Sequence, residues 1–222
     1  KLIWFNNVWY SYRFDGTKEC DNIDSWYSLP NQATPPFGNS FNPSSVGITD
    51  FSDADSEWIV DNTGSAHTYT AAANWSPAGK VTIKSGSSLD PVGFEVTVGG
   101  NTVIESGGTL NFSDANGIFN ADGDFQAADG ANITFAANGR LKLVGAAPRL
   151  GRINGAEFTS SEGTVEYDRL GGIQTIYDIP YFNLVINGTD VNDIKTANSN
   201  LDVNGALTVT NGNLSLNNID LD

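Results

Sequence analysis

The chain has 222 residues, 39% hydrophobic, 11% aromatic and only 17% charged, too apolar for a disordered segment and long enough to bury a substantial core. A formal net charge of −15 and a pI near 4.1 oppose binding to nucleic acid or to anionic lipid by Coulomb repulsion, and no apolar run is long enough to cross a bilayer as a helix. One cysteine, Cys20, and one histidine, His67, exclude a disulfide within the chain and leave little for a Cys/His zinc site or a histidine-based triad.

Residues 1–79 read as an aromatic, irregular head. All five tryptophans, Trp4, Trp9, Trp26, Trp58 and Trp75, lie there, with most of the prolines. Ser76-Pro-Ala-Gly79 is a short turn and not a flexible spacer, so the head is expected to sit directly on the segment that begins at residue 80. The chain opens on Lys1 and contains no Met, as expected of a processed or truncated chain whose export signal has been cleaved.

From residue 80 the pattern is repetitive. Val81-Thr-Ile-Lys-Ser-Gly-Ser-Ser-Leu89 is echoed by Thr102-Val-Ile-Glu-Ser-Gly-Gly-Thr-Leu110 and by Phe125-Gln-Ala-Ala-Asp-Gly-Ala-Asn-Ile133. A looser copy is Leu207-Thr-Val-Thr-Asn-Gly-Asn-Leu-Ser-Leu216. Between the copies lie short alternating runs at Phe94–Val98, Arg140–Val144, Gly163–Tyr167, Phe182–Ile186 and Asn200–Val203. Alternation over four or five residues bounded by Gly and Asn is the signature of a strand. No long segment carries an apolar stripe of helical period, so helix is expected to be nearly absent.

A period of roughly 20 residues holding two or three short strands predicts an all-β, right-handed parallel β-helix, one coil per repeat. A single coil cannot bury its inward side chains. Stacked coils can, each strand pairing with its equivalent about 4.8 Å above and below. Inward positions are expected at Val81, Ile83, Leu89, Ile104, Leu110, Ile133, Leu141, Leu143, Val165, Leu184, Val203, Leu207, Val209 and Leu216. Gly after Ser, Asp or Asn is expected to supply a positive-φ residue at each corner. The competing fold is an antiparallel β-sandwich with Asn-Gly hairpins.

Several phrases resemble the repeats of large secreted surface proteins of Bacteroidota. They are Gly163-Thr-Val-Glu-Tyr167, Gly172-Ile-Gln-Thr-Ile176, Tyr181-Phe-Asn-Leu-Val-Ile186, Leu201-Asp-Val-Asn-Gly205 and the Leu207–Leu216 run, with Ala72-Ala-Asn-Trp-Ser76 ahead of the repeats. The resemblance covers the last 60 or so residues well and the middle loosely. It implies export by type IX secretion, a place at the cell surface, and an adhesive or gliding-associated role. The sorting domain usual in such cargo is not in this sequence, and Asp222 falls within the repeat phrase, so the repeats are expected to continue.

Candidate functional residues are few. Asp50, Asp53, Asp55 and Glu57 place four carboxylates close together, and Asp122 with Asp124 resembles half of a calcium loop. Calcium takes six to eight oxygens, and these carboxylates are the ones that would supply them, although neither segment completes an EF-hand; solvated corners and N-cap-like turns are the preferred reading of both. Trp4, Trp9 and Tyr10 offer faces for sugar rings, against which stands a role in covering the first coil. A polysaccharide-cleaving site would need paired acids or an acid with a base, for which Asp122 and Asp124 with Arg140 and Lys142 are the nearest set; a surface charge ladder accounts for the same residues.

The sequence thus predicts a head over 1–79 capping a solenoid over 80–222. Its expected role is that of a structural or adhesive, non-catalytic segment of a larger extracellular surface or filament protein. The expected partners are surface glycans or further copies stacked on the coil ends. The alternative is a carbohydrate-binding or polysaccharide-cleaving β-helix.

Overall fold

The computed structural model describes residues 7–11, 19–28, 41–61, 68–135, 138–151 and 163–217. Among them there is no α-helix, only strands and two 3-10 turns, Ile23–Ser25 and Pro43–Val46. The head supplies β1 (Val8–Ser11) and β2 (Trp26–Tyr27), and the coils follow in order. The first holds β3 (Glu57–Val60) and β4 (Tyr69–Thr70), and the second β5 (Lys80–Ile83), β6 (Ser88–Asp90) and β7 (Glu95–Val98). The third holds β8 (Thr102–Ile104), β9 (Thr109–Phe112) and β10 (Ile118–Ala121), and the fourth β11 (Phe125–Ala127), β12 (Asn132–Phe135) and β13 (Arg140–Leu143). Beyond them lie β14 (Thr164–Tyr167), β15 (Gly172–Ile176), β16 (Asn183–Asn187), β17 (Asp193–Ala197), β18 (Leu207–Thr210) and β19 (Asn213–Leu216).

Equivalent strands stack into four sheets that make a β-solenoid of about six turns. Sheet A runs β2-β1-β3-β5-β8-β11, sheet B β4-β6-β9-β12, sheet C β7-β10-β13-β14-β16-β18 and sheet D β15-β17-β19. Every described strand pair is parallel except β1 with β2, which excludes the hairpin sandwich. The stack extends upstream of residue 80, because Trp58 of β3 pairs with Val81 of β5 and with Trp9 of β1.

In-register pairing puts like residues in columns, and alternation turns one column inward. Val96, Phe119, Leu141, Val165 and Leu184 are register partners along sheet C and are all buried. Ten of the expected inward residues, from Val81 to Leu184, lie in the core. The last coil departs from the expectation. Val209 is 48% exposed, while Val203, Leu207 and Leu216 are only partly buried. No described strand pairs with β18 or β19 on their far side, so their inward side chains have a neighbour on one side alone. Asn200–Val203, expected as a strand, reduces to an isolated bridge between Tyr181 and Val203.

Glycine serves the corners in two ways, of which the sequence revealed one. Between sheets A and B, Gly86, Gly107 and Gly130 carry φ of 73, 80 and 82°, the left-handed region expected. Between sheets C and A, Gly79, Gly100, Gly123 and Gly145 are not among the positive-φ residues. There a Cβ on Gly100 would lie 2.6 Å from the carbonyl carbon of Gly79, and one on Gly123 2.4 Å from the oxygen of Gly100. Those glycines let successive coils approach backbone to backbone.

Candidate functional site

The aromatic head closes over the first coil. Trp9 stacks on Trp58 at 6.2 Å and meets the edge of Phe41 at 6.1 Å, leaving it 1% exposed. Trp26 stacks on Trp75 at 5.4 Å, and Phe51 packs edge-on against both Trp58 and Trp75. A sugar needs an open ring face, and Trp9 has none. Tyr10 alternates to the other side of β1, half-buried, opposite Tyr27 of β2. Trp4 lies outside the described residues. The indole N–H of Trp26 donates to the carbonyl of Cys20 at 3.0 Å, while those of Trp9, Trp58 and Trp75 have no partner. Burial pushes the Cys20 thiol well above its ordinary pKa, which suits a core residue and not a nucleophile.

The acidic run from Asp50 to Glu57 is occupied locally. Asp50 accepts from the Ser52 hydroxyl at 2.6 Å and its N–H at 3.0 Å, and these bonds hold its carboxyl below the usual range. Asp53 accepts from the Asp55 N–H and the Ser56 hydroxyl, and the Asp55 side chain is exposed. Burial pushes Glu57 up, but Lys80 at 2.8 Å and the Thr82 hydroxyl at 2.7 Å outweigh it and lower the pKa. Asp122 accepts from Asn120, while the N–H of Asp124 donates to Asn101; both side chains are exposed. Among the described residues, no group of three or more His, Cys, Asp or Glu converges as metal ligands would.

The outer face of sheet C carries a charge ladder. Arg140 pairs with Glu166 at 3.1 Å and Lys142 with Asp168 at 3.4 Å. The Asn187 amide bridges the same two acids, at 3.0 Å from Glu166 and 2.8 Å from Asp168. Arg140 and Lys142 therefore act between neighbouring coils, and the structure does not bring them to Asp122 or Asp124 by any ion pair. Pairs of this kind, partly exposed, contribute about 0–1 kcal/mol each.

A buried polar layer on the inner side of sheet D carries no signal in the sequence pattern. Gln174, Asp193 and Lys195 stand where apolar side chains stand elsewhere, at 0, 1 and 0% exposure. Gln174 donates to the carbonyls of Leu143 and Gly145 at 2.7 and 2.8 Å and accepts from the Arg169 N–H. The Lys195 ammonium donates to the Arg169 carbonyl at 2.6 Å; desolvation lowers its pKa despite the charges of Asp193 and Asp168. Asp193 accepts from the N–H groups of Thr189 and Gly171, which hold its pKa down at about 2. Beside this layer the Tyr167 and Tyr181 hydroxyls meet at 2.7 Å, and burial raises both pKa values. The cause is a step in the stack. Among the described residues the last rung of sheet A is a single bridge from Gln126 to Arg149, and the backbone of β15 reaches the preceding coil through Thr175 to Ala146, so side chains fill hydrogen bonds that a ladder would make.

The class this architecture defines is a β-solenoid whose described lysines and arginines mostly pair with acids of a neighbouring coil. No family model, no curated protein and no solved structure matches the chain.

Proposed function

We propose that this chain is a structural and adhesive β-solenoid segment of an extracellular bacterial surface or filament protein, acting without catalysis. The observation that carries the reading is the commitment of the candidate bases Arg140 and Lys142 to Glu166 and Asp168 of the neighbouring coil, with Asn187 bridging the two acids, so that no ion pair joins either base to the exposed Asp122 or Asp124. General acid–base chemistry needs such groups free to face a substrate. The resemblance of the 163–216 phrases to Bacteroidota surface repeats supports the address and the type IX route. Surface glycans are the partners of this reading, and a second copy stacked on the half-covered side chains of β18 and β19 is the route to a filament.

The test is a pair of assays on the purified chain. Retention on polysaccharide-coated beads with no release of reducing ends or unsaturated products is the expected result. Product release from any of a panel of neutral and acidic polysaccharides would overturn the non-catalytic reading in favour of a polysaccharide-cleaving β-helix. Sedimentation across concentration reports stacking of copies.

A further inference from the structure

The step between sheets A and D has a consequence on the outer surface. Over the last described rungs of sheet A opens a groove of about 310 Å³, lined by Val103, Glu105, Ser106, Gln126 and Arg149 among others. Small-molecule sites span roughly 300–1,000 Å³. Val103, Gln126 and Arg149 form one column, fixed by the pairing of β8 with β11 and by the Gln126–Arg149 bridge, so their spacing is set by the backbone. Glu105 uses one oxygen, accepting from the Ser85 N–H at 3.2 Å. Arg149, at the groove's edge, donates to Asp129 at 3.0 Å.

The chemistry of this lining selects a ligand class. Gln126 offers a donor and an acceptor together, Glu105 an acceptor, Ser106 both, and Val103 an apolar surface. That mixture matches a ring bearing several hydroxyls. Glu105 and Asp129 outnumber Arg149 in charge, and the whole chain carries −15, so an anionic ligand is repelled. We propose that this groove binds one or two rings of a neutral saccharide. The inference rests on the adhesive reading above and gives it a site.

The experiment is a titration of the isotope-labelled chain with glucose, galactose, N-acetylglucosamine and glucuronate, followed by amide chemical shifts. Saturable shifts at residues 103–106 and 126–128 with a neutral sugar, at least tenfold weaker in Gln126→Ala at unchanged melting temperature, are expected. Thr134→Ala, on sheet B, leaves them intact. No saturable shift with any neutral sugar at tens of millimolar, shifts confined to other faces, or stronger binding of glucuronate would each overturn the proposal. The bead assay separates the two claims: Gln126→Ala that still adheres like the parent sinks the groove and leaves adhesion standing, whereas a parent chain that does not adhere sinks the reading itself.

Discussion

Replacing Gly123 by Ala isolates one close backbone-to-backbone approach between coils of the solenoid. Gly123 is not a positive-φ position, so Ala is acceptable to its backbone, and the effect comes from space alone. The added Cβ would lie 2.4 Å from the oxygen of Gly100, 2.6 Å from its carbon and 3.0 Å from the nitrogen of Asn101. Two of these contacts are shorter than a methyl carbon tolerates, and all three atoms belong to backbone that is held by the ladder. Relief requires the corner to open by several tenths of an ångström against strands spaced about 4.8 Å apart. Overpacking of this kind costs about 1–3 kcal/mol, and the loss of unfolded-chain freedom on replacing Gly gives back about 0.4–1 kcal/mol. A net loss near 1–2 kcal/mol lowers the melting temperature of a chain this size by roughly 2–8 °C. Urea unfolding followed by circular dichroism, with calorimetry, measures it. Gly47→Ala is the contrast, since that position has open space and φ of +87°, so its cost is conformational only. A Gly123→Ala chain as stable as the parent, or more so, would refute close approach as the reason for this column.

Three further outcomes are expected. Val92 is β-branched at φ 47°, a left-handed conformation costing about 1–2 kcal/mol; Val92→Asn should raise the urea midpoint, with the Asp90 carboxylate still accepting from the N–H of residue 92. Trp58, fully buried between Trp9, Trp26 and Phe51, should cost about 3–5 kcal/mol as Trp58→Ala, read as a lower midpoint and a lost near-ultraviolet dichroism band. Asp193 has a folded pKa of about 2 against an ordinary 3.8, so its stabilisation is complete above the ordinary value and is lost as pH falls from there through about 2. Asp193→Asn should flatten that part of the stability–pH curve, measured by urea midpoints from neutral pH into acid.

The repeat phrases disclosed the fold because parallel, in-register stacking demands one spacing: the column of Gly86, Gly107 and Gly130 sets a corner, and Leu89, Leu110 and Ile133 follow it inward. The same logic fails where the stack changes. Gln174 and Lys195 are inward although their residue types favour solvent, because the side chains stand in for ladder bonds missing at the step between sheets A and D. Val209 is apolar and exposed because no described strand covers it on the far side. Trp9 offered a sugar platform as well as a cap because composition marks an aromatic without saying whether it is covered; Trp58, in register beside it, covers it. The acidic run offered four carboxylates, but Asp50 and Asp53 accept from Ser52 and Ser56 of their own turns and Glu57 from Lys80 and Thr82, and partners on another coil, as for Glu57, do not show in a local pattern. The groove beside Arg149 had no sequence signal, since its residues come from three coils.

The parallel, in-register stack is tested most directly by inter-strand nuclear Overhauser effects on sheet C. Contacts between amide and α protons that place Phe119 between Val96 and Leu141 are predicted, with Leu141 in turn beside Val165. Close α-proton pairs joining sequence-adjacent strands in hairpins, such as Thr102–Ile104 with Thr109–Phe112, would contradict the solenoid and everything built on it.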